Sequence, residues 1–143
     1  MALFGLSNAC VDNLEETPPP PEPSITRVEC EIDGREWKAN SVTLTDLGIS
    51  LQLAGIRGAE SVQIVITDAT LEPGDYPIGS TEEISMSYLG NADVYGESEG
   101  GTMELLVNND QVIAGRFEVR LKSMISESSV NITEGKFLYE RQP

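Results

Sequence analysis

Two thiols, 24 carboxylates and no imidazole define the chemistry open to this 143-residue chain. Without His, every His-based triad, general base and metal site is excluded. Two Cys are too few for a disulfide scaffold or a four-Cys zinc site. Cys30 alternates with Val28 and Ile32, which predicts a small core hydrophobe rather than a reactive thiol. Among the acids, Asp93, Glu97 and Glu99 cluster around Tyr95 and between Gly96, Gly100 and Gly101, a composition that reads as a loop. Hard oxygen ligands on such a loop could hold Ca²⁺, but the EF-hand spacing is absent and the acids read as a solvated face. Tyr95 is the one aromatic expected to be exposed, so Asp93, Tyr95, Glu97 and Glu99 form the candidate binding loop. No carboxylate pair stands out for glycoside hydrolysis, and no nucleophile or phosphate motif is present. The expectation is therefore no catalytic residue, no metal and no cofactor.

The elements that position these residues begin after a break near residue 24. Residues 18–23 hold five of the eight prolines, and Asp12, Glu15, Glu16 and Glu22 precede any base. Proline fixes φ and donates no hydrogen bond, so 1–24 reads as a leader and a stiff acidic tether, and 25–143 as one folded domain. The net charge of −15 opposes both nucleic acid and anionic membrane surfaces. No apolar run approaches the ~20 residues of a membrane-spanning helix.

Within 25–143 the apolar residues recur with period two, the half-buried strand signature. Val28, Cys30 and Ile32 alternate, and Asp33-Gly34 is the strongest short hairpin signal, because a type I′ turn needs φ > 0 twice. A two-residue loop sets Cys30 opposite Trp37, Glu29 opposite Lys38 and Glu31 opposite Glu36. Val42 and Leu44 follow, then Ile49, Leu51 and Leu53, then Val62, Ile64 and Ile66, then Ile84, Met86 and Tyr88. Met103, Leu105 and Val107 lead through a turn to Ile113, Phe117, Val119 and Leu121. A three-residue loop there keeps faces matched, pairing Val107 with Ile113, Leu105 with Gly115 and Met103 with Phe117. Val130 and Ile132 are even while Phe137 and Tyr139 are odd, so a bulge is expected at Glu134-Gly135, where glycine accepts φ > 0. The whole predicts an all-β fold, an antiparallel sandwich or a partly open barrel built from hairpins.

The leader adds a second theme. Leu6-Ser7-Asn8-Ala9-Cys10 places a small residue before a Cys at the end of a short apolar stretch, and resembles a bacterial lipoprotein processing site. The stretch before Cys10 is short and lacks a basic region, which suggests a natural start upstream of Met1. The bland alternative is a flexible acidic N-terminus with an incidental Cys. In the domain, Ile32-Asp33-Gly34-Arg35-Glu36-Trp37-Lys38-Ala39, Pro73-Gly74-Asp75-Tyr76-Pro77-Ile78-Gly79, Ile113–Val119 and Val130–Phe137 resemble a family of small Bacteroidota outer-membrane lipoproteins with no assigned activity. That resemblance implies an all-β domain on the cell envelope, with surface exposure as one placement, and carries no catalytic residues. With Cys10 as lipid anchor, the tether from Cys10 to Ser24 reaches at most about 45 Å when fully polyproline-like.

The functional expectation is a non-catalytic envelope lipoprotein, a binding or accessory module whose partners are the membrane, through the lipid, and an unknown protein or glycan. A lipocalin-like carrier of a small ligand is one alternative. An acidic inhibitor or immunity-type protein that meets a basic partner is the other.

Overall fold

The computed structural model describes residues 26–141. They form ten strands and, among the described residues, no helix. In chain order these are β1 (Arg27–Ile32), β2 (Arg35–Lys38), β3 (Ser41–Asp46), β4 (Leu51–Arg57), β5 (Glu60–Ile66), β6 (Gly74–Pro77), β7 (Ile84–Leu89), β8 (Val94–Asn108), β9 (Val112–Ser123) and β10 (Ser129–Glu140). One antiparallel sheet in the order β2-β1-β10-β9-β8-β7-β5-β4-β3 curls into a half-barrel, with β6 paired to β8 beside this path. Of the two architectures expected, the partly open barrel is the one formed.

The curl brings consecutive strands to opposite edges of the sheet. Between β2 and β3 the Ala39 amide donates to Val28 O (2.9 Å), while the next amide, Asn40, donates to Ile56 O (2.7 Å). Two adjacent residues thus tie one edge to the other. Gly55 makes the approach possible, because a Cβ there would lie 2.8 Å from Val28 Cβ. The inner face is filled by Trp37, Phe117, Phe137, Met103, Ile64, Leu121 and their neighbours, which form one continuous buried cluster. Each fully buried large apolar side chain contributes about 1.5–3 kcal/mol.

The β1–β2 hairpin has the expected register, Cys30 opposite Trp37, Glu29 opposite Lys38 and Glu31 opposite Glu36, with Asp33 and Gly34 both at positive φ. The β8–β9 hairpin corrects one detail. Leu105 pairs with Gly115, Glu104 with Arg116 and Met103 with Phe117, as the matched faces require. Nearer the tip, Val107 pairs with Ala114 rather than Ile113, and Asn108 with Ile113. The Asn109 amide closes on Val112 O, so the tip is even, and an extra residue at Leu106 restores the register. Asn109 Oδ1 accepts the amides of Gln111 and Val112, which caps the turn.

The bulge in β10 lies where the parity change demands it: Phe117 pairs with Gly135 and Val119 with Ile132. The residue at positive φ is Glu134 (53°), not Gly135. Gly135 is required for a different reason, since its Cα lies under the Phe117 ring and an added Cβ would meet Cδ2 at 2.3 Å. Ile49 is a second correction. It does not share the buried face of Leu51 and Leu53 but sits in the β3–β4 turn, 81% exposed.

Two ends follow from the strand directions. β1 runs from Thr26 toward Asp33, and β10 returns from Ser129 to Glu140, whose amide donates to Thr26 Oγ1 (2.9 Å). The end at Thr26 is closed by Asn108 Nδ2, which donates to Ala69 O (3.1 Å) and Leu71 O (2.9 Å), and by Arg141, which reaches Asn108 Oδ1 (2.9 Å) and Asp46 (3.7 Å). The other end carries the turns at Asp33-Gly34, Leu89–Val94 and Ser123–Ser129, and is open.

Candidate functional site

A hollow of about 450 Å³ lies at the open end. Ile32, Tyr88 and Val130 form its apolar floor, Arg35 one wall, and Gly90–Asp93 with Tyr95 the other. The short β1–β2 turn places Arg35 there, and the tight β7–β8 turn, closed by the Gly90 amide on Asp93 O (2.9 Å), places the opposite wall. Tyr88 and Tyr95 pair across β7 and β8, and their rings stack with centroids 5.8 Å apart.

Beneath the hollow, one carboxylate oxygen organises three side chains. Glu60 Oε1 accepts from Trp37 Nε1 (2.8 Å) and from the Tyr88 hydroxyl (3.0 Å), and the Arg35 guanidinium lies 3.7 Å away. Burial pushes the Tyr88 phenol up to about 12, assisted by the hydrogen bond to Glu60 and its charge and opposed by Arg35. Its hydroxyl is therefore a hydrogen-bond donor throughout the physiological range. Cys30, which faces Trp37, is raised to about 12 chiefly by burial, the behaviour of an inert core thiol.

The structure redistributes the four residues of the candidate binding loop. Their segment is not a glycine-rich loop. Only Asp93 lies in a turn, and Tyr95, Glu97 and Glu99 lie on β8. Glycine here serves close backbone approach: a Cβ on Gly101 would meet Glu118 O at 2.6 Å. Tyr95 is half-buried against the core rather than exposed. The Asp93 carboxylate accepts from the hydroxyls of Ser123 (2.6 Å) and Ser126 (3.1 Å), tying the β7–β8 turn to the β9–β10 turn. Glu99 instead accepts from Arg120 Nε (3.1 Å) and Ser129 Oγ (2.9 Å). Among the described residues no three His, Cys, Asp or Glu groups are placed to share a metal ion.

Asp93 gives a pH dependence with a definite sign. The Ser123 hydroxyl bond, helped by the Val94 amide and the Ser126 and Ser128 hydroxyls, holds its carboxyl below the usual aspartate range. A depressed folded value stabilises above the unfolded pKa near 4 and is lost as pH falls through the folded one. The expected result is that Ser126 amide protection is constant from pH 7 to about 5 and falls on further acidification. Asp93→Asn removes the pH step; a step that survives this substitution contradicts the assignment.

Sequence reading missed Arg35, Glu60, Tyr88 and Ser123 as members of this end. The signal available was their position beside turns. Their convergence depends on strands far apart in the chain. Around the hollow, Leu89, Val94, Met124 and Ile125 leave large apolar surfaces uncovered, with Leu89 and Val94 paired and the Met124 amide on Val94 O (2.8 Å). A larger depression, about 830 Å³, lies on the outer face of β8–β10; its charged lining includes Arg116, paired with Glu104 (3.6 Å), and Arg120, paired with Glu99 beyond its rim (3.1 Å).

Residues 26–139 match the profile of a domain of unknown function, DUF6252. The chain belongs to the DUF6252 family. The match runs from just before β1 to near the end of β10, so the DUF6252 domain is the complete half-barrel and includes both of its ends. No curated protein and no solved structure matches this DUF6252 chain.

Proposed function

We propose that the protein is a non-catalytic binding or accessory module of the bacterial cell envelope, of Bacteroidota type, anchored to the outer membrane by lipid on Cys10. Its open end is the recognition surface for a protein or glycan. The observation that carries this reading is the direction of β1. The chain enters the domain at the closed end, so the hollow beside Arg35 and the uncovered Leu89, Val94, Met124 and Ile125 point away from the anchor. Cys10 itself lies outside the described residues. Support for the anchor comes from Leu6–Cys10 and the acidic, proline-rich spacer that follows. No helix among the described residues is long and apolar enough to cross a membrane. Several acyl chains on one Cys, at about 0.8 kcal/mol per buried CH₂, suffice to hold such a domain.

The filled interior favours recognition at the end of the barrel over carriage of a ligand inside it. A net charge of −15 favours a partner with a basic rim. Expression of the full natural gene in a Gram-negative host tests the anchor. The expected products are a mature N-terminus at an acylated Cys10 and a protein that fractionates with membranes, whereas Cys10→Ser is released. An unmodified thiol at the mature N-terminus, or a Cys10→Ser protein still bound like the parent, removes the proposal.

A further inference from the structure

The closed end carries an apolar feature that nothing in the domain uses. Leu47 and Ile49 flank Gly48 at the tip of the β3–β4 hairpin, 56% and 81% exposed. The tip is rigid. The Leu47 amide donates to Ser50 O (2.9 Å), the Gly48 amide to Asp46 Oδ1 (2.8 Å), and the Ala69 amide to Ile49 O (2.9 Å). Gly48 holds φ at 89°, which sets the turn and leaves the two aliphatic side chains outside the core. The acid that precedes the tip, Asp46, is already engaged: Oδ1 holds the Gly48 amide, and Oδ2 lies 3.7 Å from Arg141.

The position of the tip identifies what covers it. Asp46 meets Arg141, the residue after Glu140, and the Glu140 amide donates to Thr26 Oγ1. Thr26 is where the chain leaves the domain toward the proline tether and Cys10. The tip therefore stands on the tether side of the molecule, with the length of the twelve-residue β10 between that side and the open end. A tether of at most about 45 Å confines this end to the layer above the bilayer, which makes even a weak surface contact effectively intramolecular.

We infer that Leu47 and Ile49 form a lipid-contact foot that seats in the interface of a zwitterionic bilayer and orients the open end outward. This deepens the anchoring proposal and rests on it. The foot is too small to bind unaided, since two side chains bury too little apolar area to hold a soluble domain at a bilayer surface. It acts only once the lipid on Cys10 has brought it to the surface.

The test uses the full acylated protein in phosphatidylcholine–phosphatidylethanolamine vesicles containing a spin-labelled lipid quencher. Ile49→Cys is labelled with an environment-sensitive fluorophore, and Glu127→Cys in the β9–β10 turn serves as the distal reference. Cys30 is buried and its thiol is raised to about 12, so it does not compete for label. The expected result is co-flotation of both proteins, with the label at 49 blue-shifted and quenched several-fold more than that at 127. Leu47→Ser in the Ile49→Cys protein should abolish most of that difference. Co-flotation with equal quenching at the two sites overturns the foot while leaving the anchor standing. A blue shift at 49 that is independent of lipid points to self-association and also overturns it. Failure of the acylated protein to float defeats the anchor and the foot together.

Discussion

Replacement of Trp37 by alanine is expected to lower the stability of the domain by about 3–5 kcal/mol, a large share of the total for a domain of this size. Trp37 is fully buried although it lies on β2, a four-residue strand at the edge of the sheet. Two losses combine. Removal of the indole empties the largest volume in the core at a place where the curled sheet cannot collapse, because Ala39 and Asn40 pin β2 to both edges. Glu60 Oε1, accepting from Trp37 Nε1 and Tyr88, also loses one of its donors. Trp37→Phe separates the two, keeping most of the volume and giving up the hydrogen bond at about 1–2 kcal/mol. Urea unfolding followed by far-ultraviolet circular dichroism measures both. An independent readout is Cys30, directly opposite Trp37, whose thiol should become reactive in Trp37→Ala as its burial is lost. A midpoint change equivalent to under 1 kcal/mol for Trp37→Ala is incompatible with this account.

The second large effect contrasts two neighbours on β10. Gly135→Ala should cost about 2–3 kcal/mol, because the new methyl lands within the Phe117 ring, 2.3 Å from Cδ2, and Phe117 is itself locked beside Phe137. Glu134→Gly should be neutral to stabilising, within about 1 kcal/mol, since relief of the left-handed conformation at Glu134 is offset by greater freedom of the unfolded chain. If the glycine were present for its φ alone, Gly135→Ala would cost only about 1 kcal/mol. Denaturation midpoints of the two single variants decide between the explanations, and a Gly135→Ala protein as stable as the parent would falsify the ring-contact reading.

That pair also shows how far the residues speak for themselves. Alternation along β1, β4, β5 and β7 and the Asp33-Gly34 turn are local properties, set by side-chain period and by a turn that only certain residues enter, so the β1–β2 register was legible in full. The parity change between Ile132 and Phe137 was likewise enough to place the β10 bulge. The reason for its glycine was not legible, because Phe117 reaches Gly135 only across a strand pairing. The same limit applied to 93–101, where Gly101, which admits Glu118 and Val119 to the backbone, read as part of a loop. Ile49 read as inward because alternation extends backward from Leu51, but the turn at Gly48 breaks the period.

Strand content, the Asp33-Gly34 turn, the acidity and the spacing of Cys10 from the domain were thus determined by the sequence alone, since each depends on neighbours within a few residues. Tertiary structure decided the closure through Ala39 and Asn40, the convergence of Arg35, Glu60, Tyr88 and Tyr95, and the assignment of uncovered apolar side chains to two opposite ends. These depend on accumulated sheet twist and on which residues meet across distant strands, and neither is written in any short stretch of chain.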